Sequence, residues 1–241
     1  MPIRAALFDF DGTLSLLREG WSGIMATMGV ELLAAQGFVG DFAPIEDTVL
    51  RLSGKPSIFQ MRVLADELAR RGGTPGNPKD YLQEFLRRLR MLTAERKLAE
   101  PATMCVSGAF EFLEALQSRG VALYLASGTD LVDVRSEPAW LGMDGFFGRH
   151  VYAPADNTPH FTKADVVNAM TRDHGRIIGF GDGYSETVEV KRAGGIAIGL
   201  ATNPPGVPGL HVVKRDLLRE LGADAVVPDY RHAAELLTWL D

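Results

Sequence analysis

Cysteine is almost absent from this sequence: its 241 residues include a single one, Cys105. A single cysteine excludes an internal disulfide and a zinc site built from several thiolates, and it is typical of proteins in a reducing compartment. We interpret Cys105 as a small apolar side chain that fills space in the core.

Long apolar runs and an excess of positive charge are also missing. No run approaches the roughly 18 apolar residues of a membrane span, and Asp9 and Asp11 come too early for the apolar segment of a signal peptide. The formal net charge of −6 argues against nucleic acid or an anionic membrane as the main partner. We therefore expect a cytoplasmic protein with neither kind of partner, either a monomer or a homodimer.

Two carboxylates follow the first apolar stretch of the chain. Residues 5–8 are uninterrupted apolar positions, which is typical of a strand buried on both faces of a parallel sheet. Asp9 and Asp11 come directly after it, so an extended backbone directs both carboxylates to one side at the carboxyl edge of the sheet. Carboxylates this close repel each other unless a cation or a proton lies between them, which favours a hard divalent metal such as Mg²⁺. The alternative is an Asx-turn that only ends the strand.

Gly12 and Thr13 continue this motif. A residue without a side chain, followed by a hydroxyl, suits a turn whose backbone N–H groups approach an anion. Together with the carboxylate pair, the turn predicts phosphate chemistry.

The periodicity of the chain then divides it into two parts. Apolar residues recur at helical spacing through residues 15–101, whereas from residue 106 helices alternate with buried strands. Strands are predicted at residues 121–126, 150–153, 176–180, 195–200 and 225–227, and helices at residues 109–118, 130–141, 163–174, 184–193, 213–221 and 231–240, with a break near Pro138. We therefore expect an α/β fold: a doubly wound parallel sheet formed by residues 1–14 and 102–241, with an all-helical cap domain of residues 15–101 inserted between them.

Polar residues also follow the second predicted strand and open a later helix. Ser127 and Gly128 offer a hydroxyl and a flexible backbone that can donate hydrogen bonds to phosphate oxygens, although Ser127 is also an ordinary N-cap residue. Lys163 opens a helix, where a cation is unfavourable unless an anion lies nearby; the alternative is a solvent-exposed lysine. Lys191 and Lys214 are poorer candidates because they fall within or beyond later helices.

A further carboxylate follows the strand at residues 176–180. Gly181 and Gly183 flank Asp182 and allow a tight strand-to-helix turn that exposes its carboxylate at the same edge as Asp9. Glu186 lies one helical turn further on, where it could order Lys163 or a metal-bound water. The alternative for Asp182 is a helix cap.

These motifs, in this order, resemble those of the haloacid dehalogenase-like superfamily, in its phosphoglycolate phosphatase and β-phosphoglucomutase branch with a helical cap. The resemblance rests on Asp9-Phe10-Asp11-Gly12-Thr13, Ser127, Lys163 and the Asp182 turn, and it extends over essentially the whole chain. An aspartate is more common in the family where this chain has Glu186, which is therefore either a direct metal ligand or a residue that positions one.

The resemblance implies a set of roles at the site. Asp9 would attack phosphorus to form an aspartyl phosphate, and Asp11 would protonate the leaving oxygen and then activate water. Asp9, the backbone carbonyl of Asp11 and Asp182 would hold Mg²⁺, with Ser127 and Lys163 on the transferred group. Gly12 and Gly128 would contribute to the phosphate site.

Substrate choice is expected from the cap. Gly54-Lys55-Pro56 is similar to the substrate-specificity loop of this branch, which implies that Lys55 contacts a carboxylate or hydroxyls of the leaving group, assisted by Arg51 or Arg62. The alternative is that these are exposed, solubilising charges.

The sequence thus predicts a Mg²⁺-dependent phosphatase that hydrolyses a small phosphorylated metabolite. Two alternatives stay open: a phosphosugar mutase, and a catalytically silent metabolite-binding protein on the same fold. The sequence does not identify the leaving group.

Overall fold

A six-stranded parallel sheet forms the centre of the protein. The computed structural model describes residues 2–38, 45, 48–49, 51–52, 57–155 and 161–241. The strands are β1 (Ala5–Phe8), β2 (Ala122–Ala126), β3 (Val151–Tyr152), β4 (Ile178–Gly181), β5 (Ile196–Leu200) and β6 (Ala225–Val227), in the order β3-β2-β1-β4-β5-β6. The chain proceeds from β1 to one side of the sheet and later returns to the other, so the strand order reverses between β1 and β4. The expectation of a doubly wound parallel sheet is confirmed.

Ten helices are described completely. They are α1 (Trp21–Ala34), α2 (Ser57–Arg70), α3 (Pro78–Arg96), α4 (Ala109–Ser118), α5 (Leu131–Trp140), α6 (Asp144–Phe147), α7 (Lys163–His174), α8 (Tyr184–Arg192), α9 (Val212–Glu220) and α10 (Ala233–Leu237), with 3-10 turns at Pro101–Met104 and Thr238–Leu240. The side chains of Asn77 and Thr162 cap α3 and α7 by accepting backbone N–H groups. No helix in the described ranges has the length and apolar character needed to cross a bilayer.

Helix α5 corrects one expectation, because it continues through Pro138 instead of breaking there. Proline removes one backbone donor from a helix, but the surrounding contacts hold this turn in place. The buried Glu137 carboxylate accepts hydrogen bonds from Arg18 at 2.9 and 3.1 Å, and the Pro138 carbonyl accepts the Met143 N–H at 2.8 Å. The predicted helix at residues 231–240 is likewise divided, into α10 and the final 3-10 turn.

Apolar side chains form separate clusters in the core and in the cap helices. Phe8 and Phe180, on neighbouring strands, stack with ring centroids 4.8 Å apart, within a cluster that extends to α4 and the C-terminal residues. The helices α1, α2 and α3 share a different cluster, which includes Met25, Met61 and Phe85. The cap helices thus have an apolar core of their own, while the domain boundaries at residues 14 and 102 stay a prediction.

The two connections between the sheet and the cap helices run side by side. Leu16 N donates to the carbonyl of Met104 at 2.8 Å, and Val106 N donates to the carbonyl of Leu14 at 2.9 Å. The chain therefore enters and leaves the cap through two hydrogen-bonded segments at one place.

Arg96, the last residue of α3, joins the end of the cap to its beginning. Its Nη1 atom lies 2.7, 3.1 and 2.6 Å from the carbonyl oxygens of Leu16, Leu17 and Glu19. One guanidinium thus binds three carbonyls of the first connection and fixes that connection to the end of α3.

Candidate active site

The polar residues predicted from the strand ends meet at one edge of the sheet. Asp9 follows β1 and Asp182 follows β4, at the point where the strand order reverses, and Ser127 follows β2. Open α/β sheets bind ligands at such points. All three line a cavity of about 340 Å³, together with Lys163 and Gly128. The cap helices close its other side.

Lys163 lies between two carboxylates. Its Nζ atom is 2.7 Å from Asp9 Oδ1 and also donates to Glu186 Oε1, and only 8% of Lys163 is exposed. The alternative of a solvent-exposed lysine is therefore wrong. Burial lowers the pKa of Lys163, but Asp9 and Glu186 outweigh it and raise the pKa above its usual value, so the side chain is a cation.

The surroundings of Asp9 disfavour the ionised form of its carboxyl group. Burial raises the pKa of Asp9 well above its usual value, and the negative charge of Glu186 raises it further, while Lys163 lowers it. A carboxylate in such surroundings is stabilised by any additional positive charge that binds beside it.

Asp11 is held by two residues that the sequence analysis did not single out. Thr129 Oγ1 donates to Asp11 Oδ2 at 2.8 Å, and Arg18 Nε lies 3.7 Å from Asp11 Oδ1. Burial raises the pKa of Asp11 to about 6, with Arg18 opposing the increase and Glu137 adding to it. A carboxyl group with this pKa is suited to giving and taking a proton near neutral pH.

Asp182 has a buried lysine of its own. Lys214 Nζ lies 2.9 Å from Asp182 Oδ2 and 2.7 Å from Glu19 Oε2, and Lys214 and Glu19 are 2% and 4% exposed. Burial lowers the pKa of Lys214, but Asp182 and Glu19 raise it above its usual value. Lys214, a poor candidate from its position in the sequence, is thus an integral part of the site.

The turn after β1 requires glycine at position 12. Gly12 has a φ of +71°, and a Cβ atom there would overlap the Asp182 carboxylate and lie 2.8 Å from Glu19 Oε2. Its N–H donates to the Ser15 carbonyl at 2.8 Å, and its carbonyl accepts the Thr202 hydroxyl at 2.6 Å. Because the N–H is already bonded, Gly12 shapes the turn and does not present this donor to a phosphate.

Gly181 has a different role in bringing the site together. A Cβ atom at position 181 would lie 2.5 Å from the Cβ and Cγ atoms of Glu186. Glycine therefore lets the first turn of α8 pack over the end of β4, which directs Glu186 toward Lys163.

The donor set fits a hard divalent cation. Asp9 and Asp182 offer carboxylate oxygens, and the expected third donor is the backbone carbonyl of Asp11. No group of three His, Cys, Asp or Glu side chains in the described ranges is arranged to hold a metal. Four carboxylates, those of Asp9, Glu186, Glu19 and Asp182, contact the two cations Lys163 and Lys214, so negative charge remains for Mg²⁺ to neutralise.

The specificity residues predicted in the cap are not found among the described residues that line the cavity. Gly54 and Lys55 lie outside the described residues. Arg51 does not line the cavity: its side chain is 63% exposed and its Nη1 lies 3.1 Å from Glu220 Oε2. Arg62 is exposed on α2 and does not line it either. The structure therefore gives neither arginine a contact with the site.

Comparisons with known proteins find similarity only among solved structures. No protein-family model matches the sequence, and no curated protein does. A HAD family hydrolase from Deinococcus radiodurans, solved with bound phosphate and sodium, is 24% identical with a TM-score of 0.61, over 98% of this chain and 93% of that one. A predicted phosphoglycolate phosphatase from Haemophilus somnus is 15% identical with a TM-score of 0.63, over 98% of both chains. A proposed β-phosphoglucomutase from Thermotoga maritima is 18% identical with a TM-score of 0.57, over 98% of this chain and 99% of that one.

These matches concern the fold. They extend over nearly the whole of each chain, so the cap helices are included as well as the sheet. The chain has the fold of the haloacid dehalogenase-like hydrolases, in the form found in phosphoglycolate phosphatase-like and β-phosphoglucomutase-like proteins, which confirms the predicted resemblance at the level of the fold.

Proposed function

We propose, on the premise that this chain has the haloacid dehalogenase-like fold, that it is a Mg²⁺-dependent phosphatase of a small phosphomonoester. The observation that carries the proposal is the Lys163 ammonium between Asp9 and Glu186, at the sheet edge that also holds Asp11 and Asp182. The phosphate bound to the Deinococcus radiodurans hydrolase supports it.

Asp9 is the proposed nucleophile. Lys163 binds its Oδ1 atom at 2.7 Å, which leaves Oδ2 to attack phosphorus and form an aspartyl phosphate. The Lys163 cation offsets the repulsion between the carboxylate and the incoming phosphoryl oxygens. Dividing hydrolysis into two displacements lowers the barrier of each.

Asp11 is the proposed acid and base. The Asp11 carboxyl group, whose Oδ2 atom accepts the Thr129 hydroxyl, lines the cavity. It protonates the leaving oxygen in the first step and takes a proton from water in the second. A pKa of about 6 makes both states accessible near neutral pH.

The remaining residues orient the transferred group. The Ser127 hydroxyl accepts the Thr129 N–H at 3.1 Å, so its own hydrogen is available to a phosphoryl oxygen. Mg²⁺, when bound by Asp9, Asp182 and the Asp11 carbonyl, would supply positive charge to the phosphoryl oxygens.

The test is phosphate release from a panel of phosphorylated sugars, acids and alcohols, with and without Mg²⁺. The wild type is compared with Asp9→Asn and with Asp173→Asn, a control at an exposed surface pair with Arg172. We expect release that needs Mg²⁺, falls at least about a thousandfold in Asp9→Asn and is unchanged in Asp173→Asn.

Two other outcomes of these assays would each support one of the alternative functions. Negligible release, together with turnover that requires a bisphosphate activator, would show a phosphosugar mutase. Tight metabolite binding without any Asp9-dependent turnover would show a catalytically silent binding protein.

A further inference from the structure

We infer that the site takes a phosphomonoester whose leaving group is apolar, an inference that rests on the proposed function. Apolar side chains from all three completely described cap helices form most of the cap side of the cavity: Trp21, Ile58, Leu82, Phe85, Leu86 and Leu89, with Ser57 and Gln60 of α2 as the polar residues there. The polar residues that bind phosphate occupy the opposite, sheet side. A substrate that fills this cavity therefore meets charge at its phosphoryl end and hydrocarbon at the other.

One face of α3 supplies most of this wall. Residues 82, 85, 86 and 89 are spaced i, i+3, i+4 and i+7, so they lie along a single stripe of the helix. Leu82 and Leu86 are only half-buried, although both pack against the apolar cluster of the cap. Apolar surface that faces an aqueous cavity is unfavourable until an apolar group covers it.

The charges in the cavity disfavour an anionic leaving group. Among the described residues that line it, only Arg18 and Lys163 are cations. Arg18 is already paired with Glu137 and Asp133, at 2.9 and 2.7 Å, and Lys163 is paired with two carboxylates of its own.

One acidic residue strengthens this selection. Asp130 also lines the cavity and would repel a carboxylate or a second phosphate on the leaving group, whereas the charge of Asp133 is balanced by Arg18. The described walls thus select against glycolate-like and bisphosphate substrates. The expectation that Lys55 binds a leaving-group carboxylate predicts a preference for anionic leaving groups instead. A comparison of apolar and anionic ligands therefore distinguishes that expectation from the present inference.

Binding of non-hydrolysable n-alkylphosphonates, measured by calorimetry with Mg²⁺ present, tests the apolar wall without turnover. From ethylphosphonate to hexylphosphonate we expect Kd to fall about three- to fourfold for each methylene, the transfer free energy of a buried CH₂ group. The anionic 3-carboxypropylphosphonate should bind no better than ethylphosphonate.

Two variants of α3 test whether its apolar stripe is the surface that binds the alkyl chain. In Leu86→Gln, we expect the affinity for hexylphosphonate to fall about tenfold, while ethylphosphonate, whose chain is too short to bury apolar surface, binds as before. Leu92→Gln is the matched control, because Leu92 is equally half-buried on α3 but does not line the cavity. Circular dichroism spectra establish that both variants are folded.

Turnover of alkyl phosphates with the same chain lengths, beside glycerol 3-phosphate, separates this inference from the proposed function. All are esters of primary alcohols, so their intrinsic reactivities are similar and differences in kcat/KM report on binding. A chain-length dependence in Kd without Asp9-dependent turnover would leave the apolar subsite standing and overturn the phosphatase. A Kd independent of chain length, or tighter binding of the carboxylate compound, would overturn the apolar subsite even where turnover is rapid.

Discussion

Tyr230 places a hydroxyl in the aromatic centre of the core. The residue is completely buried, its ring stacks on Phe112 with centroids 5.0 Å apart, and its hydroxyl has no hydrogen-bond partner among the described residues. A buried donor without a partner costs roughly 1–3 kcal/mol of stability.

Replacing Tyr230 with phenylalanine removes that hydroxyl and keeps the ring. We expect Tyr230→Phe to raise the free energy of unfolding by about 1 kcal/mol at neutral pH, measured by urea denaturation. A loss of stability would mean that the hydroxyl makes a buried hydrogen bond.

The same substitution has a signature at alkaline pH. Burial raises the pKa of Tyr230 well above its usual value, and the charge of Asp9 adds to the increase. Above about pH 10 the unfolded chain releases this proton while the folded chain keeps it, so stability falls as pH rises, by about 1.4 kcal/mol per pH unit. The advantage of Tyr230→Phe over the wild type should therefore widen between about pH 8 and about pH 11.

If Asp182 holds Mg²⁺ as proposed, Glu19 positions Asp182 through Lys214, which binds both carboxylates. In Glu19→Gln, Lys214 loses one of its two carboxylate partners and binds Asp182 more strongly, which draws that carboxylate away from a metal. We expect the Mg²⁺ concentration for half-maximal phosphate release, and for half-maximal thermal stabilisation, to rise about tenfold. The control is Glu220→Gln, at an exposed ion pair. An unchanged Mg²⁺ dependence in Glu19→Gln would contradict this role.

At the scale of elements, Arg18 connects the segment after β1 to helix α5. Its guanidinium is 9% exposed and binds Glu137, which is 3% exposed, and Asp133, which is 46% exposed. Removing the cation leaves Glu137 as a buried, largely uncompensated charge, with only Lys97 at 3.8 Å beside it.

We expect Arg18→Met to lower the free energy of unfolding by about 3 kcal/mol. Asp133→Asn, which changes the exposed partner alone, should lower it by less than about 1 kcal/mol. Chemical denaturation of both variants gives the comparison, and equal losses would show that the burial of Glu137 is not the cause.

Elements with a single strong periodicity were predictable, and long-range partners were not. The strand at residues 5–8 and the helix at residues 163–174 have the predicted bounds, because an uninterrupted apolar run and a capped amphipathic helix are local signals. Lys163 could be singled out because it lies where the family that the chain resembles has its lysine, between two strand-end motifs. Glu19 and Lys214 could not, since their pairing joins residues 195 positions apart and neither lies in a recognisable motif.

Helix α5 is a second case in which a contact with a distant residue could not be predicted from the local sequence. A proline is a strong local signal for a helix end, yet α5 continues through Pro138 because Glu137 is held by Arg18 from a distant part of the chain. Tertiary contacts of this kind override a local preference, and they cannot be predicted from residues 130–141 alone.

For the whole molecule, the apolar cluster shared by the cap helices predicts that the cap loses structure independently of the sheet. Leu68 is completely buried in the cap cluster, so Leu68→Ala should destabilise the cap by about 2–5 kcal/mol. We expect faster amide hydrogen exchange in α2 and α3, with exchange in β1 and β4 unchanged. Equal acceleration in all four elements would show that cap and core unfold as one unit.

The paired connections between the sheet and the cap would allow the cap to be replaced by protein engineering. Leu14 and Val106, and likewise Leu16 and Met104, are hydrogen-bonded neighbours, with backbones about 5 Å apart. A short turn could therefore join the two segments directly, and a helical module of another size could be spliced in at the same place without moving a strand. Such a graft would exchange the helices that face the cavity and would have to keep the segment through Glu19, because Arg18 lies beside Asp11 and Glu19 holds Lys214 next to Asp182.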